Sequence, residues 1–492
     1  MKISDAIHSL QELNFDLKYE VKNDNELYVR IKSDQIRKLV MICVDLYKFN
    51  YICEFSVEEE KPSNEGKVTS IKAKETTINC VFSNSKKGYY MILSYITDQK
   101  PIDISNIVYQ SRLFQREINK DYDYKVKEVS GTGAYQVAVG PVHAGIIEPG
   151  HFRFSVMGEP IENLEIRLMY KYRGIEKQCV DINANSLNLM FERVSGESAV
   201  AYGEIYAILV EKILGSEVSD EIKAFRVVLL ELERMYNYLD DLGGIANDIG
   251  YSYVAKKFGY FSEIIHQLCE RISGSRFMRN AIVPLGINID FDKQKKKDII
   301  DTLQSLKERV SSIIKMSVNA VSFLDRVEDT GMVSRAMAKK LCMTGVVARA
   351  CNLKYDVRVA FPYEIYREIK KSINIETKGG VFERYKLKCR ELKDAFEFIE
   401  KALTYINVDI KRDKQEICLE EGLEALASVE TVKGELVVYG LTGKDNKFDR
   451  IYFKTPSFTN WTGMSEAVLG EIIPDFPLIN KSFNMSYSEN DR

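Results

Sequence analysis

The stretch Phe191–Tyr202 reads FERVSGESAVAY, and the interpretation of the whole chain starts from it. Two small hydroxyl side chains, Ser195 and Ser198, stand three positions apart, before a run that predicts the start of a long helix. Paired ligands at this spacing are typical of a metal site, but a serine hydroxyl is a weak ligand for the metals that such pairs hold. The surrounding sequence has to decide between a site that lost its metal and a coincidental spacing.

Length and charge bound the class of protein. A chain of 492 residues is too long for one hydrophobic core, which predicts two or three domains. The formal net charge is −3 and acidic and basic residues are interleaved, so we expect no nucleic-acid partner. The sequence has no run of about eighteen uncharged apolar residues, and its start has no apolar segment typical of a signal peptide. We therefore expect a cytoplasmic protein.

The cysteine and histidine content argues against a self-contained metal site. None of the nine cysteines stands three positions from another, and the chain has only four histidines. In a cytoplasmic protein such cysteines are expected to be reduced, buried, small apolar residues. Any redox chemistry would then depend on cofactors of a partner, and we expect this chain to bind none.

The periodicity of apolar residues predicts an α+β protein with two domains. Residues 1–125 predict a small α/β domain, with alternating strand patterns at Glu26–Ile31 and Tyr89–Tyr95. Residues 126–137, which contain SGTGA, predict a linker. Residues 138–492 predict a mainly α-helical bundle with small β-sheets. The predicted long helices are 195–214, 220–242, 251–273, 293–325 and 376–405.

Three further elements are predicted in the first domain. Asp5–Leu13 has the pattern of a short helix, and Glu58–Lys67, with three glutamates in a row, predicts a solvated loop. Arg112–Tyr122 predicts an amphipathic helix that either caps a sheet or docks a partner.

Several motifs, taken in chain order, resemble the large subunit of group 4, membrane-bound nickel–iron hydrogenases and its relatives, the D-subunits of respiratory complex I. Gly140–His143 and Glu148–Phe154 look like the opening motif with its G-P-x-H. Tyr172–Lys177 resembles H-R-G-I/M-E-K, and Glu192–Ser198 falls on E-R-V-C-G-x-C. Further segments that are similar to family segments are Leu230–Arg234, Asp241–Gly250, Phe323–Glu328, Asp356–Arg358, Pro362–Tyr366 and Lys454–Phe458.

The resemblance extends to both ends of the chain. Phe114–Ile118 looks like the F-E-R-E-I/L motif of the complex I C-subunit, which implies that residues 1–125 are a C-subunit-like domain fused ahead of the large subunit. Ser488–Arg492 resembles the G-E-V-D-R with which the quinone-site subunit of complex I ends.

The residues at the family's metal ligands have changed. The family holds nickel and iron with four cysteine thiolates, and the matching positions here are Ser195, Ser198, Ser486 and Glu489. Tyr202 replaces the family histidine that follows the second cysteine. Serine hydroxyls stay protonated near neutral pH and bind these metals weakly, whereas thiolates are strong donors. The resemblance therefore implies a subunit without a nickel–iron centre and without hydrogenase activity.

Three functions remain open from the resemblance. The cavity that is expected at the changed ligand positions could reduce a quinone-like acceptor. Asp248 would stand at the position of the complex I aspartate, and Tyr202 would be a phenol donor. It could instead carry protons and couple electron transfer in iron–sulfur partners to membrane ion translocation; Glu148 falls on the glutamate that passes protons in membrane-bound hydrogenases. The third function is that of an inert structural subunit.

A buried charged cluster is expected at the old ligand positions. Its predicted members are Glu192, Arg193, Glu489 and Asp491. Since a buried carboxylate cannot stay charged without a partner, Arg193 and Arg492 are the expected neutralising groups.

His143 and Arg358 are the remaining candidates, as cofactor contacts. The alternative roles are a hydrogen-bonded structural histidine and a core ion-pair partner. The partners implied are an iron–sulfur small subunit, a ferredoxin-like subunit and membrane antiporter-like subunits, which would hold the chain peripherally at the inner face of the cell membrane. Gly131–Gly133 alone in the predicted linker is too weak a signal for contact with NAD.

Overall fold

The computed structural model describes the chain except residues 1–2, 13–14, 16, 23–24, 46–47, 60–74, 98–99, 121–128, 144–146, 370–371, 408 and 414. The chain divides into two compact units. The first comprises Met1–Lys125 and Lys340–Cys342, and the second comprises Val126–Lys339 and Met343–Arg492.

The first unit is built on a mixed five-stranded sheet. Its strands are β1 Leu17–Lys22, β2 Glu26–Ile31, β3 Asn50–Glu59, β4 Glu75–Asn84 and β5 Tyr89–Thr97, and its helices are α1 Ile3–Glu12, α2 Ile36–Asp45 and α3 Ser111–Ile118. The strands lie in the order β1-β2-β5-β4-β3, with β2 and β5 parallel and the other pairs antiparallel. The two predicted strands are confirmed as β2 and β5. Most of the predicted loop Glu58–Lys67 lies outside the described residues, and its first two residues end β3.

Helix α3 packs on this sheet. Phe114 is fully buried, and the Gln115 amide donates to the Oε2 of Glu54 at 3.1 Å and to the carbonyl oxygen of Ile102 at 3.0 Å. These contacts support the sheet-capping role that was one of the two interpretations of this segment.

The second unit is mainly helical. Its helices are α4 Ile175–Cys179, α5 Ala184–Phe191, α6 Ala199–Leu214, α7 Asp220–Asp248, α8 Ser252–Ser273, α9 Lys293–Val318, α10 Val321–Val327, α11 Arg335–Lys340 (whose last residue groups with the first unit), α12 Gly345–Ala350, α13 Val357–Ala360, α14 Val381–Tyr405, α15 Pro456–Ala467 and α16 Phe476–Phe483. Helix α7 packs against α8, α14 and α16, and 21 of its 29 residues are buried, so it is the centre of the bundle. The predicted α+β class with a helical bundle is confirmed.

Small antiparallel sheets complete the second unit. The strands are β6 Ala134–Val139, β7 His151–Met157, β8 Ile161–Arg167, β9 Ile282–Val283, β10 Gly286–Ile287, β11 Glu424–Thr431, β12 Gly434–Thr442 and β13 Phe448–Lys454. They form the sheets β6-β7-β8, β9-β10 and β11-β12-β13. The small β-sheets predicted within residues 138–492 are thus present, while the last four residues of the predicted linker, 134–137, belong to β6 because they pair with β7.

Four helix boundaries differ from the prediction by more than one residue. Helix α6 begins at Ala199 rather than at 195, because Gly196–Ser198 form a 3-10 turn. Helix α7 continues through Gly243 and Gly244 to Asp248, because these glycines give close packing against α8 and the Lys481 side chain. The predicted helix 293–325 is two helices, since Ala320 is extended between them. Helix α14 begins at Val381, after Gly379 with φ +74°, where an added Cβ would clash with the carbonyl oxygen of Val333.

Two features of composition can be compared with the structure. Seven of the nine cysteines are buried, but Cys418 is exposed and Cys342 is half-buried, so the prediction of nine buried cysteines is wrong for these two. Cys418 lies in the irregular segment before β11 between the buried residues Ile417 and Leu419, and its own side chain faces solvent. Within the described residues, no helix combines the length and the apolar character needed to cross a membrane.

Candidate functional site

The four positions matched to metal ligands form two halves, the first with Ser195 and Ser198 and the second with Ser486 and Glu489. The fold brings these two halves together inside the second unit. Ser195 precedes a single 3-10 turn, and Ser198 lies at the N-cap of α6; Ser486 and Glu489 follow α16. Ser195, Ser198 and Glu489 are fully buried and Ser486 is 5% exposed. The halves meet where the Tyr202 hydroxyl donates to the Oε1 of Glu489 at 3.3 Å.

Arg173 joins the two halves through their backbones. Its guanidinium donates to the carbonyl oxygens of Arg193 at 2.5 Å and Val194 at 2.7 Å, just before the first serine. It also donates to the carbonyl oxygen of Ser488 at 2.6 Å, in the C-terminal segment. The Arg173 guanidinium thus links the segment before Ser195 to the C-terminal segment by charge-assisted hydrogen bonds. Arg173 belongs to the YRGIEK motif, but no local pattern indicated this role.

Glu489 is the acidic group of the site. Its Oε2 accepts from the backbone N–H of Ser457 at 3.2 Å, and its backbone carbonyl accepts from the Thr455 hydroxyl at 3.1 Å. Burial raises the pKa of the Glu489 carboxyl above its usual range, the Lys433 ammonium opposes this, and the charge of Glu197 adds to it. Burial and the charge of Glu197 thus favour the protonated carboxyl, and Lys433 opposes them.

The serine hydroxyl groups of the site differ in their hydrogen-bond partners. The Oγ atoms of Ser486 and Ser488 lie 2.8 Å apart. Among the described residues, no hydrogen-bond partner reaches the Oγ of Ser195 or Ser198. A buried hydroxyl without a hydrogen-bond partner costs free energy. These two hydroxyls therefore form a polar site that can bind a small polar molecule.

Lys433 is a buried cation beside the site, and no sequence pattern had indicated it. Its Nζ donates to the carbonyl oxygen of Asn484 at 2.8 Å and lies 3.3 Å from the Oε1 of Glu197. Although burial acts to lower it, the charge of Glu197 raises the pKa of Lys433 above its usual range. Lys433 stands before Gly434 in the tight turn between β11 and β12, a position that in sequence is typical of a solvent-exposed turn.

Two buried glutamates hold the backbone near Ser195 and Ser198 by accepting hydrogen bonds from backbone N–H groups. Glu233 on α7 accepts from the backbone N–H groups of Val200 at 2.7 Å and Ala201 at 3.1 Å, which satisfies donors of the first turn of α6. Glu192 accepts from the backbone N–H of Asn280 at 2.7 Å. Burial raises the pKa of Glu192 to about 7 and that of Glu233 to about 8, while these hydrogen bonds act to lower both.

The two predicted neutralising arginines differ in their placement, and only Arg492, whose charge acts on Tyr202, is buried. Arg193 is exposed although Glu192 and Val194 on either side of it are buried, so the prediction of a buried Arg193 is wrong. Arg492 is buried, but its Nε donates to the Oε1 of Glu176 at 3.2 Å. Asp491 is buried as expected; burial raises the pKa of its carboxyl to about 6, which the charge of Arg173 opposes.

Glu148 and His143 lie near the C-terminal half of the site. Glu148 is half-buried, and its charge helps to raise the pKa of Asp491 after the larger effect of burial. His143 is half-buried, and its Nε2 lies 2.6 Å from the carbonyl oxygen of Gly150. This contact engages one ring nitrogen of His143 with the backbone.

Asp248 and Arg358 are not brought into the serine cavity. Asp248 is the last residue of α7 and is exposed; partial burial raises the pKa of its carboxyl, and the charge of Lys481 opposes this. Arg358 is buried in a separate cluster, where it donates to both carboxylate oxygens of Asp356 at 3.0 and 2.7 Å and to Glu231 at 3.2 Å.

The donors at the four positions matched to metal ligands do not fit a nickel–iron centre. Three hydroxyls and one carboxylate offer hard oxygen ligands, whereas the resemblance implies soft thiolates for nickel and iron. Within the described residues, no group of three or more histidine, cysteine, aspartate or glutamate side chains is arranged to hold a metal ion.

Comparison with known proteins identifies one family and several relatives of this chain. The family described as "Respiratory-chain NADH dehydrogenase, 49 Kd subunit" matches residues 248–424 and 408–492. Hydrogenase-4 component G of Escherichia coli (strain K12) is 28% identical over 357 residues, which are 72% of this chain and 61% of that protein. The carbon monoxide-induced hydrogenase of Rhodospirillum rubrum is 26% identical over 73% of this chain and 99% of its own length. The D 2 subunit of the NADH-quinone oxidoreductase of Herpetosiphon aurantiacus is 27% identical over the same two shares.

A solved structure shows the same fold. A chain of the membrane-bound sulfane sulfur reductase (MBS), an archaeal respiratory membrane complex, superimposes with a TM-score of 0.69 at 22% identity. The match covers 73% of this chain and 99% of that chain. The relatives of this chain thus include hydrogenase components and subunits of NADH-quinone oxidoreductases. The chain belongs to the family of the 49 Kd subunit of respiratory-chain NADH dehydrogenase.

Proposed function

We propose that this chain is the large subunit of a membrane-associated oxidoreductase complex in which a protonatable cavity replaces the nickel–iron centre. The complex would couple electron transfer in iron–sulfur partner subunits to ion translocation by membrane antiporter-like subunits. The observation that carries the proposal is the hydrogen bond between Tyr202 and Glu489 at the place where the family has a histidine and a cysteine.

The surroundings of Glu489 suit a group that gains and loses one proton. Burial disfavours the carboxylate, while Lys433 and the N–H of Ser457 favour it. Because these effects oppose each other, a modest change in nearby charge, such as an electron on a partner's cluster, can change its protonation state. This is the property that coupling requires.

The other two functions have weaker support. Tyr202 and Glu489 together form an O–H donor pair of the kind that a quinone headgroup needs, but Tyr202 is fully buried, and the predicted partner Asp248 is exposed at the end of α7. An inert structural subunit has no need for the ionisable groups Glu489 and Lys433 in its interior, where apolar filling is commonly as stable.

The test uses the purified complex in liposomes with a low-potential electron donor. We expect Glu489→Gln to abolish ion transport while electron transfer within the iron–sulfur clusters persists, and Glu159→Gln, at an exposed position, to change neither. Full ion transport in Glu489→Gln would overturn the proposal. Quinone reduction that is present in the wild type and lost in Tyr202→Phe would establish the second function instead.

A further inference from the structure

A cavity of about 320 Å³ opens beside the buried Arg358 and is here called the Arg358 cavity. Its walls come from residues 356–369, 372–374 and 391–398, which belong to α13, to the segment that follows it and to α14. Charged, aromatic and aliphatic side chains share these walls, among them Asp356, Glu391, Asp394, Tyr366, Phe398 and Ile369. A cavity of this size and mixed character is typical of a site for a small organic molecule.

The charged cluster beside this cavity contains more acid than base. Its ion pairs join three guanidinium groups to four carboxylates, all of them buried: Arg234, Arg349 and Arg358 with Glu231, Asp356, Glu391 and Glu430. The cluster has one more negative than positive charge when every member is ionised. Burial raises the pKa of Glu430 to about 7; the charge of Asp356 adds to this and that of Arg349 opposes it. The same excess of negative charge attracts a cation into the cavity.

The guanidinium of Arg358 is engaged by carboxylates. It donates to the two carboxylate oxygens of Asp356 at 3.0 and 2.7 Å and to Glu231 at 3.2 Å, and it lies 3.7 Å from Glu391. An anionic ligand would therefore meet three carboxylates around Arg358, which disfavours it. Arg367, a second guanidinium on the wall, is exposed, so water and salt screen its charge.

The other walls suit a cation that has an apolar part. Asp394 on α14 is half-buried, and its Oδ2 accepts from the side-chain amide of Asn374 at 2.5 Å. Since a carboxylate accepts several hydrogen bonds, Asp394 can also accept from a bound N–H group. The rings of Tyr366 and Phe398 lie 5.5 Å apart at 87° and give the cavity an aromatic side. No cluster of acidic, histidine or cysteine side chains in the described part of the chain is arranged to hold a metal ion, so the walls favour an organic cation.

We propose that the Arg358 cavity binds a short alkylammonium ion, with its ammonium group at Asp394 and its alkyl chain on the rings of Tyr366 and Phe398. The ammonium N–H groups donate to the Asp394 carboxylate in charge-assisted hydrogen bonds. The alkyl chain leaves water for the aromatic side of the cavity, which adds the free energy of apolar burial. This site goes beyond the proposed function and does not depend on it.

Calorimetric titration of the purified full chain with n-butylammonium chloride tests the site. We expect saturable binding with a Kd on the order of 1 mM, and no saturable binding of butyrate, which has as many carbons and the opposite charge. Asp394→Asn should weaken the binding about tenfold, because the hydrogen bond loses the charge of its acceptor. Glu397→Gln is the matched control, since Glu397 is a half-buried acid of the same helix outside the cavity wall, and its affinity should equal that of the wild type.

A second variant blocks the cavity without removing a charge. Val359 lies on the wall and is 47% exposed, so Val359→Trp can fill the space while the buried cluster stays intact, and binding should be lost. Val321→Trp, at an 81% exposed position outside the wall, should bind as the wild type does. Circular dichroism shows that each variant is folded. The site would be overturned by wild-type affinity in folded Asp394→Asn and Val359→Trp, by equal binding of butyrate, or by no saturable butylammonium binding up to about 10 mM.

Discussion

Tyr202 and Glu489, which are 287 positions apart in the chain, share a hydrogen bond of 3.3 Å between Oη and Oε1 in the interior of the second unit. The resemblance to nickel–iron hydrogenases implies a histidine and a metal-binding cysteine at these two positions. The hydrogen bond joins α6 to the C-terminal segment.

Tyr202→Phe should destabilise the second unit. The change removes only the hydroxyl and leaves a fully buried carboxyl without its O–H donor, which should lower the free energy of unfolding by about 1–3 kcal/mol. Denaturant unfolding measures this. Tyr172→Phe, at a side chain that is 62% exposed, is the control and should change stability by less than about 0.5 kcal/mol. Equal effects of the two substitutions would contradict the structural role of the pair.

Arg173→Lys should loosen the C-terminal segment although it keeps the charge. A lysine cannot reproduce the guanidinium fork that reaches Arg193, Val194 and Ser488, so we expect a loss of about 2 kcal/mol or more. Hydrogen exchange of the backbone amides in residues 486–492 should rise. Arg193→Lys is the control, because that side chain is exposed and only its backbone carbonyl takes part. Unchanged protection of residues 486–492 would show that Arg173 does not join the halves.

Lys433→Met should make Glu489 harder to ionise. Lys433 opposes the effect of burial on the pKa of Glu489, so its removal should move the infrared titration of that carboxyl to higher pH. Lys444→Met, in the exposed turn between β12 and β13 of the same sheet, should leave the titration unchanged. A shift to lower pH in Lys433→Met would mean that Lys433 does not act on Glu489.

The first unit should lose stability as pH rises from about 5 to 8. Burial raises the pKa of Glu54 to about 8 from an ordinary value near 4.5, although hydrogen bonds from Gln115 and Tyr51 oppose this. The folded state therefore keeps a proton that the unfolded state releases, and the free energy of unfolding falls by up to about 1.4 kcal/mol per pH unit in this window. Glu54→Gln should remove this dependence in denaturant unfolding. A wild type and a variant with parallel pH profiles would contradict it.

Much of the fold could be predicted because periodicity and composition carry it. The starts of α7, α8 and α9, and the strands β2 and β5, follow from the spacing of apolar residues, whereas α6 begins at Ala199 and not at 195. The missed end of α7 depends on distant contacts: Gly243 and Gly244 lie inside a helix because α8 and Lys481 approach there. A glycine pair by itself predicts a break.

The candidate site could be predicted only in part. The positions of Ser195, Ser198, Ser486 and Glu489 came from matching motifs, and the structure brings the two halves together. The charged partner was not predictable, since Lys433 precedes a glycine in a hairpin turn and no local pattern distinguishes it from exposed Lys444. Arg193 was assigned to the cluster by proximity in sequence, but its side chain is exposed between buried neighbours.

Metal analysis of the purified complex tests the central claim most directly. The claim is that the cavity of Ser195, Ser198, Ser486 and Glu489 holds a protonatable carboxyl and no nickel–iron centre. We predict a nickel content at background level after growth with added nickel, and the same value in Glu489→Gln. One nickel per chain in the wild type, lost in Glu489→Gln, would contradict the account.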